Sequence, residues 1–210
     1  MAKLKGPLFS FNASGKLADS LVYFPWKGLN VVRQYVIPAN PKTALQQAQR
    51  GYLGDAVDAI HDALADATHP IKQVDITAYA TLALNEEGPR TWFNQACKLW
   101  VDVLVAALTP CLYADFAISD KKANSIDLIA YLHEETASDL AAGKFYFGTS
   151  RTALIHAAAA TVTAGVSVKL ENEDCSAFLT AGQKYYVQFK PDAADPCEGA
   201  DSGIYSFVAE

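Results

Sequence analysis

The sequence predicts an α+β chain in three parts: a β-hairpin arm over 1–41, a small helical bundle over 42–111 and a β-sandwich over 112–210. Three observations lead there. β-Branched and aromatic residues crowd the segment before Pro38, apolar residues then recur at helical spacing as far as Leu108, and beyond Cys111 the period falls to two. With 51% hydrophobic and 19% charged residues in 210, the balance is that of a folded globular protein. Apolar runs such as Val103 to Leu108 fall far short of the roughly 18 residues of a membrane span, and no apolar stretch follows Lys3 and Lys5 as in a secretory leader. The expectation is a chain that neither spans a membrane nor is exported.

In the arm, Ser20 to Phe24 and Asn30 to Ile37 read as strands, and Pro25-Trp26-Lys27-Gly28 supplies the turn. The second strand puts Val31, Arg33, Tyr35 and Ile37 on one face and Val32, Gln34 and Val36 on the other, so neither face is cleanly polar. A hairpin alone is marginal, so this one lies either on its own helices or on a neighbouring subunit. Pro38 and Pro41 stop the strand.

Thr43 with Gln46 fits a capping box at the start of the first helix, in which Leu53, Val57, Ile60 and Leu64 face the core. Asp55, Asp58, Asp62 and Asp66 line the opposite side, as a solvated face or a docking surface for a basic partner. A shorter helix is expected from Asp75 to about Asn85, before Gly88-Pro89. A third runs from Arg90 to Leu108 with Trp92, Ala96, Leu99, Trp100, Val103, Leu104 and Ala107 inward, and Pro110 closes it.

The strands expected in the last part are Ser125 to Leu132, Lys144 to Phe147, Ala158 to Val162, Gly165 to Leu170, Lys184 to Phe189 and Gly203 to Val208. Ninety-nine residues suit one immunoglobulin-like domain, and Leu179, Gly182 and Tyr185 have the spacing of a tyrosine corner. With Phe147-Gly-Thr-Ser150 and Lys184 to Phe189 the segment resembles a fibronectin type III domain, at the ends of whose third and sixth strands such residues stand. It departs in having Tyr131 rather than tryptophan on the second strand and Ala181 in place of proline.

The net charge of −6 conceals two opposed halves: residues 1–50 carry +6 and residues 51–210 carry −12. A basic arm on an acidic body is drawn to an acidic partner, which in a homo-oligomer is the body of the next copy. Nucleic acid is the weaker reading, because the cations are spread out and stacking aromatics are few. Cys97, Cys111, Cys175 and Cys197 form no C-x-x-C pair and share no short spacing with the histidines, so no metal or other cofactor is expected. Thiols are the default, with Cys175–Cys197 the one pair that a sandwich could bring together under oxidation. Nucleophile-elbow, P-loop and zinc-protease motifs are missing, which points away from an enzyme. Asp192 to Asp195 reads as a local acidic group, and Glu171 to Asp174 lacks the glycine and terminal glutamate of a calcium loop.

The first quarter of the chain also resembles a module of tailed-bacteriophage proteins. The matching residues are Gly15-Lys16, Val22-Tyr23, Trp26-Lys27-Gly28, Val32-Arg33, Asn40-Pro41-Lys42-Thr43 and Gln46-Gln47-Ala48-Gln49-Arg50, with Ala18 where that family has glycine. The resemblance implies a virion structural protein, a capsid or tail accessory assembled in the host cytoplasm, whose partners are further copies of itself and other virion proteins. The docking surface then comprises Tyr23, Trp26, Lys27, Arg33, Asn40, Lys42, Gln46, Gln47 and Arg50, with Tyr23 and Trp26 as anchors and Lys27, Arg33 and Arg50 as complementary charge. Alternatively, Gln46, Gln47 and Arg50 merely tie the first helix to the hairpin. A different function, a module binding carbohydrate on a host surface, is expected if Tyr113, Tyr146 and Tyr205 cluster at one end of the sandwich.

Overall fold

The computed structural model describes residues 15–27, 29–37, 39–40, 42–86, 88, 90–122, 125–134, 140–163, 168–172 and 179–210. The chain divides into two compact units, Met1–Thr43 and Ala44–Glu210. The helices and the described strands that follow them lie in the second of these units. Cys175, Gly28, Pro41 and the Gly165 end of one expected strand lie outside the described residues.

In the first unit the expected hairpin is a three-stranded antiparallel meander of β1 (Gly15–Leu17), β2 (Leu21–Trp26) and β3 (Leu29–Gln34). β1 was missed because three residues around a glycine carry no alternation to read. Ala18 and Asp19, in the β1–β2 turn, take φ of +41° and +55°. That is the left-handed region, in which a glycine would be unstrained and Ala18 is not.

The second unit opens with α1 (Ala44–Ala65), α2 (Gln73–Ala83) and α3 (Trp92–Val105), close to the expected spans. α3 is capped by Thr91, whose hydroxyl accepts from the Asn94 N–H. The buried stripe of α1 is Ala56, Ile60 and Ala63, while Leu53 and Leu64 are exposed, contrary to the sequence reading. Alanines let α1 approach α3 closely, and the larger leucines are left on the shoulder of the contact. Tyr79, Ala96, Trp100 and Leu112 complete this helical core.

Among the described residues eight strands follow: β4 (Cys111–Lys122), β5 (Ser125–Glu134), β6 (Gly143–Gly148), β7 (His156–Ala159), β8 (Thr161–Thr163), β9 (Val168–Asn172), β10 (Lys184–Pro191) and β11 (Tyr205–Val208). They form two antiparallel sheets, ordered β4-β5-β9-β8 and β11-β10-β6-β7. The run expected as one strand from Ala158 breaks at Ala160, where the chain leaves one sheet for the other. Both sheets feed one apolar cluster: Tyr113 and Phe116 from β4, Phe145 and Phe147 from β6, Val187 and Phe189 from β10, and Tyr205 and Phe207 from β11. Ring contacts bridge the sheets, with Tyr113 to Phe189 at 5.2 Å and Phe116 stacked on Tyr205 at 3.7 Å. Each such fully buried ring contributes about 1.5–3 kcal/mol.

The tyrosine corner forms: the Tyr185 hydroxyl accepts from the Thr180 N–H at 3.0 Å, and Gly182 supplies the turn at φ +78°. Tyr131 does not take the place of a core tryptophan. It lies on the outer face of β5, stacked on His69 at 3.4 Å.

β4 and β11 are edge strands, and α2 lies against both. Covering the edges hides their unpaired backbone groups. At Gly203, just before β11, an added Cβ would lie 2.7 Å from the Ala78 carbonyl carbon and Cβ and from the Tyr79 nitrogen. The Ile204 N–H donates to the Ala78 carbonyl at 3.0 Å, so strand and helix meet backbone to backbone there.

Candidate functional site

In the first unit the register Lys16↔Val22↔Arg33, with Phe24↔Val31 and Trp26↔Leu29, places these residues on one face of the meander. Its rings are flanked by cations. Lys27 Nζ lies 5.2 Å from the Trp26 ring, the Arg33 guanidinium 5.2 Å from Phe24 and Lys16 Nζ 3.9 Å from Tyr35. Asp19 pairs with Lys16 and holds its ammonium above the usual lysine range. Trp26 is 57% and Leu29 66% exposed, so a large apolar pair stands uncovered beside Lys27 within the unit. Lys27 itself occupies the turn with φ +48°.

The sequence-predicted anchors separate. Tyr23 is one residue out of phase with Trp26, faces the other side of the sheet opposite Val32, and is buried. Its burial takes it off the exposed face that carries Trp26. Trp26 and Arg33 share one face of the sheet, Arg33 opposite Val22 and Lys27 beside the Trp26 ring. Asn40 and Lys42 are exposed in the segment before α1, Lys42 with φ +48°, and Gln46, Gln47 and Arg50 are exposed in the first turns of α1, in the second unit.

A second cluster, which the sequence reading passed over, joins α2 to β4. Between Ala114 and Ala117 β4 bulges, with Asp115 at φ +52°, and its backbone donors there turn from β5 toward α2. The buried Asp75 carboxylate accepts from the N–H groups of Lys72 (2.8 Å), Asp115 (3.1 Å) and Phe116 (3.2 Å) and from the Tyr205 hydroxyl (2.9 Å). Burial pushes this carboxyl above the usual range, against the pull of those donors. One turn on, the Tyr79 hydroxyl accepts from the Tyr113 N–H at 3.1 Å. Paired buried carboxylate and phenol groups resemble acid–base machinery, yet each of these contacts ties α2 to its own start, to β4 or to β11.

Outside the bulge, His69 Nδ1 lies 3.0 Å from one Asp115 oxygen and Lys72 pairs with the other. Burial alone would raise the Asp115 carboxyl, but the bonds to His69 and Lys72 outweigh it and hold the group below its ordinary 3.8. A folded value below the unfolded one means stability that is present above pH about 3.8 and is lost as pH falls through the folded value. Asp115→Asn is therefore expected to lower the urea midpoint at neutral pH and to converge on the wild type in strong acid. An equal deficit at both ends would assign the loss to the backbone at that bulge instead.

Asp195 is likewise structural: its carboxylate accepts from Ala141, Ala142 and Cys197 N–H groups at 2.8–3.0 Å, pinning the loop before β11. Tyr113 and Tyr205, two of the three aromatics considered for carbohydrate, are buried in the core. Tyr146 lines an open groove, about 530 Å³, together with Asn85, Arg151 and Gln188, and the buried Tyr205 reaches the wall of a separate one of about 280 Å³ beside α2. Among the described residues no helix is long and apolar enough to cross a membrane. Comparison with known protein families, with curated proteins and with solved structures gives no match to this chain.

Proposed function

We propose that this chain is a non-enzymatic structural component of a tailed-bacteriophage particle, capsid- or tail-associated, that docks through its basic N-terminal sheet and displays an immunoglobulin-like sandwich. The observation carrying the docking role is the exposed Trp26–Leu29 pair set among Lys16, Lys27 and Arg33 on one sheet face. An aromatic anchor ringed by one sign of charge suits an acidic, partly apolar protein surface, where desolvating the tryptophan gives affinity and the cations set register. Nucleic acid fits less well, because the cations already lie against the rings on which bases would stack.

The immunoglobulin-like reading is supported by strand order. Naming β4 to β11 in sequence as A, B, C, C′, D, E, F and G turns the two sheets into A-B-E-D and G-F-C-C′. The presence of both C′ and D favours this over the seven-stranded fibronectin type III pattern.

Two measurements test the function. The chain should co-purify with particles, or with their capsid or tail proteins, at fixed stoichiometry. Trp26→Ala should abolish that incorporation while leaving the thermal unfolding of the free protein unchanged within a few degrees. Loss of the folded protein would assign Trp26 to a core, and absence from particles would sink the reading.

A further inference from the structure

Resting on that docking role, we infer that the partner of the basic sheet face is α1 of a second copy of this chain, in a head-to-tail interface. The exposed side of α1 carries Asp55, Asp58 and Asp62, opposite the buried Ala56, Ile60 and Ala63. At helical rotation the three carboxylates and Gly51 share one narrow stripe. None of the three is in an ion pair among the described residues, so their charge is left for another molecule.

Two further observations fit this occupant. Gly51 and Gly54 stand inside α1, where glycine is disfavoured relative to alanine. A Cβ at either would meet nothing within 4 Å, so neither is required by packing inside the chain. Beside the acidic stripe they leave a low surface against which a flat indole can lie. The second is spacing. Lys16 and Arg33 flank Val22 on adjacent strands, two strand spacings or about 10 Å apart. Asp55 and Asp62 are separated by seven residues of helix, also about 10 Å. Sheet cations and helix carboxylates therefore match in sign and in repeat. Lys16 is shared with its own Asp19, Arg33 and Lys27 carry the rest, and Trp26 and Leu29 supply the apolar contact.

The two surfaces are different patches, so each copy offers both halves of the contact, and assembly closes as a ring of two or more copies or runs on as a filament. The charge halves of the sequence, +6 and −12, have the same sense.

Charge reversal with mixing tests this on the full chain, by light scattering at low salt. The wild type should form a ring or longer oligomer that dissociates near 1 M salt, where the screening length has fallen to about 3 Å. Lys27→Glu with Arg33→Glu should be monomeric, as should Asp58→Lys with Asp62→Lys, both with wild-type circular dichroism. Mixed together, the two variants should reassociate into alternating oligomers, because the reversed sheet of one meets the reversed helix of the other. The wild-type mass returns where the wild type holds an even number of copies, and a neighbouring even number replaces an odd one. A wild type that is monomeric at every salt and concentration overturns the inference, as does assembly that survives both reversals or a mixture that fails to reassociate. If such a chain still enters particles through Trp26, the docking role stands and the neighbour is another protein.

Discussion

Asp75→Ala should be the most damaging single truncation in the chain. It leaves the buried N–H groups of Asp115 and Phe116, the Lys72 N–H and the Tyr205 hydroxyl without their acceptor. A buried donor left unmet costs about 1–3 kcal/mol, so the sum reaches about 4 kcal/mol or more. That is a large part of the 5–15 kcal/mol by which such proteins are stable. Asp75→Asn should fall between, since its one oxygen still accepts while its amide turns donors toward donors. Tyr205→Phe, which removes one bond to a charged group, should cost about 2 kcal/mol. Urea unfolding of the three variants at neutral pH checks the order. Near-equal midpoints would mean that α2 holds to the sheets by apolar contact alone, with Asp75 a passenger.

Gly203→Ala should follow closely, for a steric rather than a polar reason. Three atoms at 2.7 Å, two of them backbone, cannot swing aside as a flexible side-chain end would. α2 must retreat from β11, stretching the Ile204 to Ala78 hydrogen bond and loosening the Tyr205 bond to Asp75. We expect a loss of about 3 kcal/mol, at the upper end for one added methyl in a filled site. Gly54→Ala is the control: with open space around it and a helical position, it should gain about 1 kcal/mol. Opposite shifts in melting temperature for the same chemical change would locate the strain at the α2–β11 seam. Equal small shifts would show that the seam is loose.

α3 was the most legible helix because it holds a periodic apolar stripe and Pro110 follows its end. The tyrosine corner was legible for the same reason: Thr180, Gly182 and Tyr185 act within six residues of one another. β4 was not. Cys111 and Tyr113 face the sheets while Leu112 and Ala114 face the helices, so a strand covered on both sides shows a continuous apolar run instead of alternation. The mismatch between Tyr23 and Trp26 was readable from period two, yet both were assigned to one surface because both are aromatic.

What the sequence determined by itself is therefore local: the helical spans, most strands and their turns, and the separation of positive from negative charge. Those follow from period, capping and turn chemistry, which act over a few residues. The tertiary structure decided the rest. It turned Asp75 from a helix start into the buried tie between β4 and β11, and left Trp26 rather than Tyr23 exposed. The partners of Asp75 lie 40 and 130 residues away in the chain. No short-range pattern encodes such a meeting, because the bulge that frees those backbone donors and the helix that satisfies them exist only once the sheets have closed.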